Sequence, residues 1–77
     1  MEAEYKGYSI EILTEQVHAN WTFRALVFVP DGTVKRFNYH GRLFQTNKET
    51  QIEGLLLVQK WIDDGMPDIQ LPPTGKN

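Results

Sequence analysis

The segment from Phe44 to Gly65, FQTNKETQIEGLLLVQKWIDDG, is the only stretch long enough and apolar enough to cover a small sheet. It reads as one amphipathic helix with both ends marked. Thr46 followed three residues later by Glu49 predicts a capping box, with the threonine hydroxyl accepting from the Glu49 backbone N–H and the glutamate reaching back to the Thr46 N–H. Asp63, Asp64 and Gly65 close the apolar pattern, Gly65 suits the left-handed residue after a helix, and Pro67 forbids continuation. The two aspartates oppose the helix dipole at that end.

At about 100° per residue, Glu49, Glu53, Lys60 and Asp63 gather on one side of this helix. The opposite side carries Gly54, Leu55, Val58, Trp61 and Ile62, with Thr50 and Leu57 at its margin. A mid-helix glycine costs roughly 1 kcal/mol relative to alanine, so Gly54 on the core side predicts close approach to a strand. Ile52 and Leu56 fall among the charges at one-turn spacing, where a monomer exposes them.

Three strands are expected before the helix. Tyr5 to Leu13 alternates, with Tyr8, Ile10 and Ile12 against Ser9 and Glu11, and Gly7 marks a bulge, a close contact or a flexible entry. Met1 to Glu4 reads as a frayed end and Thr14 to Asn20 as a loose polar loop. Trp21 to Val29 is the central strand; the face bearing Trp21, Phe23, Ala25, Val27 and Val29 goes inward because the other carries Arg24. Pro30, Asp31 and Gly32 form a turn. Thr33 to Tyr39 is the third strand, with either Phe37 and Tyr39 or Val34 and Arg36 inward; aromatic content favours the first pair. The expected fold is therefore α+β, a three-stranded antiparallel sheet (β-β-β-α) with one C-terminal helix across one face. Residues 1–65 form a single domain, and 66–77, with three of the four prolines and no periodicity, form a mostly disordered tail. A second reading of the tail has Ile69 and Leu71 docking on a groove.

A chain of 77 residues buries about 60% of its unfolded surface, so its core is small. It contains no cysteine, which removes disulfides and thiolate sites and favours an intracellular, cytoplasmic home. The charged opening Met1 to Lys6 predicts no signal peptide, and no apolar run approaches a membrane span. A net charge of −2 argues against indiscriminate binding to nucleic acid or anionic membrane.

The order of three strands and a helix, with Tyr5 and Gly7 opening the first strand and Trp21 the second, resembles a set of small uncharacterised bacterial domains of that topology. The helix entry Phe44 to Glu49 and the ending Trp61, Ile62, Asp63 add to the resemblance, which covers residues 5 to about 65. The topology is also similar to the ethylene-response type DNA-binding domain and loosely to the double-stranded RNA-binding domain. The first of these implies arginines and a tryptophan on the exposed sheet face, where this chain offers Arg24 with Arg36 or Lys35. The second implies a lysine cluster at the helix N-terminus, where this chain has Lys48 beside Glu49.

No pattern predicts catalysis, a cofactor or a metal. His18 and His40 are the only side chains suited to neutral-pH proton transfer, and the sequence couples neither to a nucleophile or an orienting carboxylate. Surface remains. Arg24, Leu26 and Phe28 on the outer sheet face, and Ile52 and Leu56 on the helix, predict contacts with a protein partner or a second copy, the sheet face being preferred because Arg24 and Glu11 flank an apolar centre. The alternative is nucleic-acid binding through Arg24, Lys35, Arg36 and Arg42, with Tyr39 for stacking.

Overall fold

Alternation along the central strands builds one face of the molecule. In the computed structural model, which describes residues 1–67, Ile10, Ile12, Phe23, Ala25 and Val27 are all buried on that face. They belong to β2 (Tyr8–Val17) and β3 (Asn20–Phe28), flanked by β1 (Glu2–Tyr5) and β4 (Val34–Asn38); α1 (Asn47–Asp63) follows. The sheet is antiparallel throughout in the order β1-β2-β3-β4. The class and the C-terminal helix agree with the sequence reading, but there are four strands, not three.

The extra strand comes from residues read as a frayed end. Glu2 pairs with Glu11, Ala3 with Ile10 and Tyr5 with Tyr8. The Met1 ammonium donates to the Ile12 carbonyl at 3.0 Å, and the Ile12 N–H donates to the Met1 carbonyl at 2.7 Å. Lys6 and Gly7 make the hairpin turn, with φ of 50° and 85°. Positive φ at both loop residues is the type I′ pattern, which matches strand twist. Gly7 is thus a turn residue, not a bulge. A clasp holds this hairpin to the helix end: the Tyr5 hydroxyl donates to Asp63 Oδ2 at 2.8 Å, and Lys6 Nζ donates to Asp63 Oδ1 at 2.7 Å.

The polar run Thr14 to Asn20 is also strand, not loop. β2 runs to Val17, its ladder with β3 extends from Ser9–Phe28 to Val17–Asn20, and only His18 and Ala19 turn. Its residues are polar because Glu15 and Gln16 stand exposed; pairing with β3, rather than burial, keeps them extended. At β4 the open choice resolves with Phe37 buried and Arg36 outward. Beyond Asn38 the chain leaves the ladder and returns at Phe44, which exchanges two 2.8 Å backbone hydrogen bonds with Trp21. The intervening loop is held by the Tyr39 hydroxyl, which donates to the Arg42 carbonyl at 2.8 Å.

The helix buries Thr50, Gly54, Val58, Trp61 and Ile62 against β2 and β3. Phe44 is buried beneath its entry, against the Phe23 and Tyr39 rings. At the cap, Glu49 N–H donates to Thr46 Oγ1 at 3.0 Å as expected, but the Glu49 carboxylate takes its bond from the Gln45 N–H instead of Thr46. At the other end Gly65 has φ of 92°, its N–H reaches the Ile62 carbonyl, and the Met66 N–H reaches the Trp61 carbonyl. Those two bonds are the Schellman pattern, whose hydrophobic closure is Met66 packed on the core. Trp61 Nε1 also donates to the Pro67 carbonyl at 2.7 Å, so Met66 and Pro67 are tied to the helix. Ile69 and Leu71, the expected docking arm, lie outside the described residues. No helix among the described residues is long and apolar enough to cross a membrane.

Candidate interaction surface

Because α1 lies on one side of the sheet, every residue in the opposite phase faces away from the core. Register places these side chains in rows. Ser9, Phe28 and Val34 share one row, Glu2, Glu11, Leu26 and Arg36 the next, and Leu13, Arg24 and Asn38 a third. Directly opposed side chains lie about 5 Å apart and diagonal ones about 7–8 Å, so Leu13, Leu26, Phe28 and Val34 form one continuous apolar band. Phe28 is 40% exposed and Val34 48%, while Leu13 and Leu26 are half-buried.

Charge separates across the strands. The outward carboxylates Glu2, Glu4, Glu11 and Glu15 all stand on β1 and β2, whereas the outward guanidiniums, Arg24 and Arg36, stand on β3 and β4. Among the described residues the ion pairs are Lys6–Asp63 and Lys60–Asp64, so none of these outer-face charges is in an ion pair with another described residue. Two shallow depressions flank the band. One, of about 400 Å³, lies between β1 and β2 beside Phe28; the other, of about 340 Å³, is lined by Leu13, Arg24, Leu26 and Arg36.

The structure therefore brings Arg24, Leu26 and Phe28 together on the outer face with Leu13 beside them, and adds Val34. Ile52 and Leu56 stand exposed at 51% and 55% on the far side of the helix, adjacent to each other but framed by exposed Glu53 and Lys60. The residues of the nucleic-acid alternative are dispersed. Arg24 and Arg36 share the outer face with four carboxylates, whereas Lys35 is in the inward phase opposite Val27. Tyr39 stacks on Phe23 at 4.8 Å and on Phe44 at 5.5 Å, so its ring belongs to the core, and Arg42 lies over the Phe44 ring.

His18 sits in the β2–β3 turn with φ of 57°. His40 and Glu15 line a common depression of about 220 Å³ with Thr22, Arg24 and Asn38, but among the described residues no hydrogen bond joins them, so no oriented acid–base pair is formed. No group of three histidine, aspartate or glutamate side chains is arranged to hold a metal among the described residues. Where protonation is shifted, the cause is structural: hydrogen bonds from Lys6 and then Tyr5 hold the Asp63 carboxyl below the usual carboxylate range. Hydrogen bonding to Thr33 likewise lowers Asp31 in the β3–β4 turn. Compared with known protein families, with curated proteins and with solved structures, the chain matches none of them.

Proposed function

We propose that this chain is a small protein-docking module whose outer sheet face, centred on Leu26 and Phe28 with Arg24 at its edge, seats a protein. The observation that carries this reading is the contiguous apolar band Leu13, Leu26, Phe28 and Val34 on the side of the sheet that α1 leaves uncovered. A contiguous exposed patch of this kind marks an interaction site in a small domain, whereas scattered single apolar residues do not. Ile52 and Leu56 form a lesser second surface, since charged neighbours confine them to one turn. The module carries no chemistry of its own; it supplies shape, an apolar centre and charged margins. Absence of cysteine supports a cytoplasmic setting for it.

A photoreactive side chain at position 28, compared with one at position 52 in cells expressing the chain, tests the reading. Protein adducts should form from position 28, and few from position 52. Labelled duplex and single-stranded DNA and RNA, titrated at low salt, should not bind. Micromolar binding that weakens steeply as salt rises would replace the docking reading with the nucleic-acid one, because phosphate contacts carry that dependence and apolar contacts do not.

A further inference from the structure

We infer that the occupant of the outer face is a second copy of this chain, stacked sheet on sheet about a two-fold axis that runs parallel to the strands between β2 and β3. This inference rests on the docking reading above and adds the partner and its orientation. Its basis is the direction of the charge gradient. Carboxylates occupy the β1–β2 half of the face and guanidiniums the β3–β4 half, while the apolar residues Leu13, Leu26 and Phe28 stand on the two middle strands and Val34 on β4.

Two sheets stacked face to face as a symmetric pair are related by an axis lying between them. An axis parallel to the strands exchanges left for right, so the β3–β4 half of one copy covers the β1–β2 half of the other. Arg24 and Arg36 then approach the partner copy's acidic half twice over, and Leu26 and Phe28 close around the centre. An axis perpendicular to the strands would instead lay carboxylates on carboxylates. The charges thus select one of the two arrangements, and like-charge juxtaposition excludes the other.

The size of the face sets the strength expected of the contact. β2 and β3 run about 30 Å and the edge strands about half that, so at ~4.8 Å spacing the face offers a footprint of roughly 450 Å² on each copy, below the usual range for stable interfaces and suited to a weak, reversible dimer. A foreign partner would need the reverse gradient around a matching apolar centre; the chain itself supplies both.

Charge exchange tests the proposal. The full chain is followed by sedimentation from about 1 μM to about 1 mM, the span over which an interface of this size is expected to saturate. Wild type should pass from monomer to a species of twice 8.9 kDa. An R24E/R36E variant has an all-acidic outer face and should self-associate about tenfold or more weakly. An E2K/E11K variant balances its lost acids with lysines and should weaken similarly. An equimolar mixture of the two should recover the dimer, since each half of one face then meets its opposite on the other; that recovery also shows both variants are folded. An I52K/L56K control should dimerise like wild type. Dimerisation that persists in R24E/R36E, or that the mixture fails to restore, overturns the arrangement. A wild type that stays monomeric throughout overturns the second copy as occupant, while protein adducts from position 28 in cells would still stand for docking to another protein.

Discussion

The ring of Phe23 lies so close to Gly54 that a Cβ at position 54 would stand 3.2 Å from each of three ring carbons. Phe23 cannot easily retreat, because it stacks against Tyr39 at 4.8 Å and Phe37 at 5.9 Å on its other sides. Gly54→Ala would gain up to about 1 kcal/mol of helix propensity, against about 1–3 kcal/mol for forcing an extra carbon into a filled core. A net loss near 1 kcal/mol is expected from urea unfolding of the two proteins. A gain of that size would mean that the helix can slide away from β3.

Gly41 has a similar but tighter constraint in the loop after β4. A Cβ there would run into the Tyr39 hydroxyl and the ring carbons beside it, and the hydroxyl is held by its bond to the Arg42 carbonyl. Gly41→Ala should therefore cost about 1–3 kcal/mol by displacing the Tyr39 ring. In a Tyr39→Ala background the same substitution should cost little, because the clash is gone. Additive losses in that double-mutant cycle would show that Gly41 is needed for something other than this ring.

The clasp on Asp63 makes stability depend on pH in a definite direction. Its folded pKa lies below the unfolded value, so its contribution is fully present above the ordinary carboxylate range and is lost as pH falls through the depressed value. Lys6 and Tyr5 are raised, chiefly by their hydrogen bonds to Asp63, so their contributions are present below their ordinary values and are lost as pH rises through the raised ones. Asp63→Asn should lower stability at neutral pH, and the difference from wild type should shrink in acid. Amide exchange should speed first in β1, which the clasp ties to the helix. A gap between the two proteins that stays constant down to strongly acid pH would remove Asp63 from that role.

Met66 and Pro67 are bonded to the last helical turn, so two truncations separate their effect from that of the remaining tail. Ending the chain after Pro67 keeps the Trp61 Nε1 bond; ending it after Gly65 leaves that buried indole donor unpaired. The shorter chain should be about 1–3 kcal/mol less stable than the longer one, with Trp61 emission shifted to the red. Equal stabilities would mean that water replaces the Pro67 carbonyl without loss.

Strong local periodicity is legible in the sequence itself. The capped 3.6-residue pattern from Thr46 to Gly65 carries the helix, its buried side and the close approach at Gly54. Alternation in FRALVF carries the inward phase of β3 and leaves Arg24, Leu26 and Phe28 together outside, because which face a side chain takes is set by its own strand. The first strand has no such signal. Glu2 and Glu4 have little strand preference of their own, and they become a strand only when Lys6 accepts a positive φ and Glu11 lies opposite. The polar end of β2 is likewise held by pairing with β3. Most of the candidate surface depends on that non-local step. Val34 completes the apolar band only because it registers against Phe28, and Glu2 and Glu4 join Glu11 and Glu15 on the acidic side only because β1 pairs with β2. A period is written along one strand, whereas register depends on hydrogen bonds between strands far apart in the chain, and the face of a sheet exists only once those bonds are made.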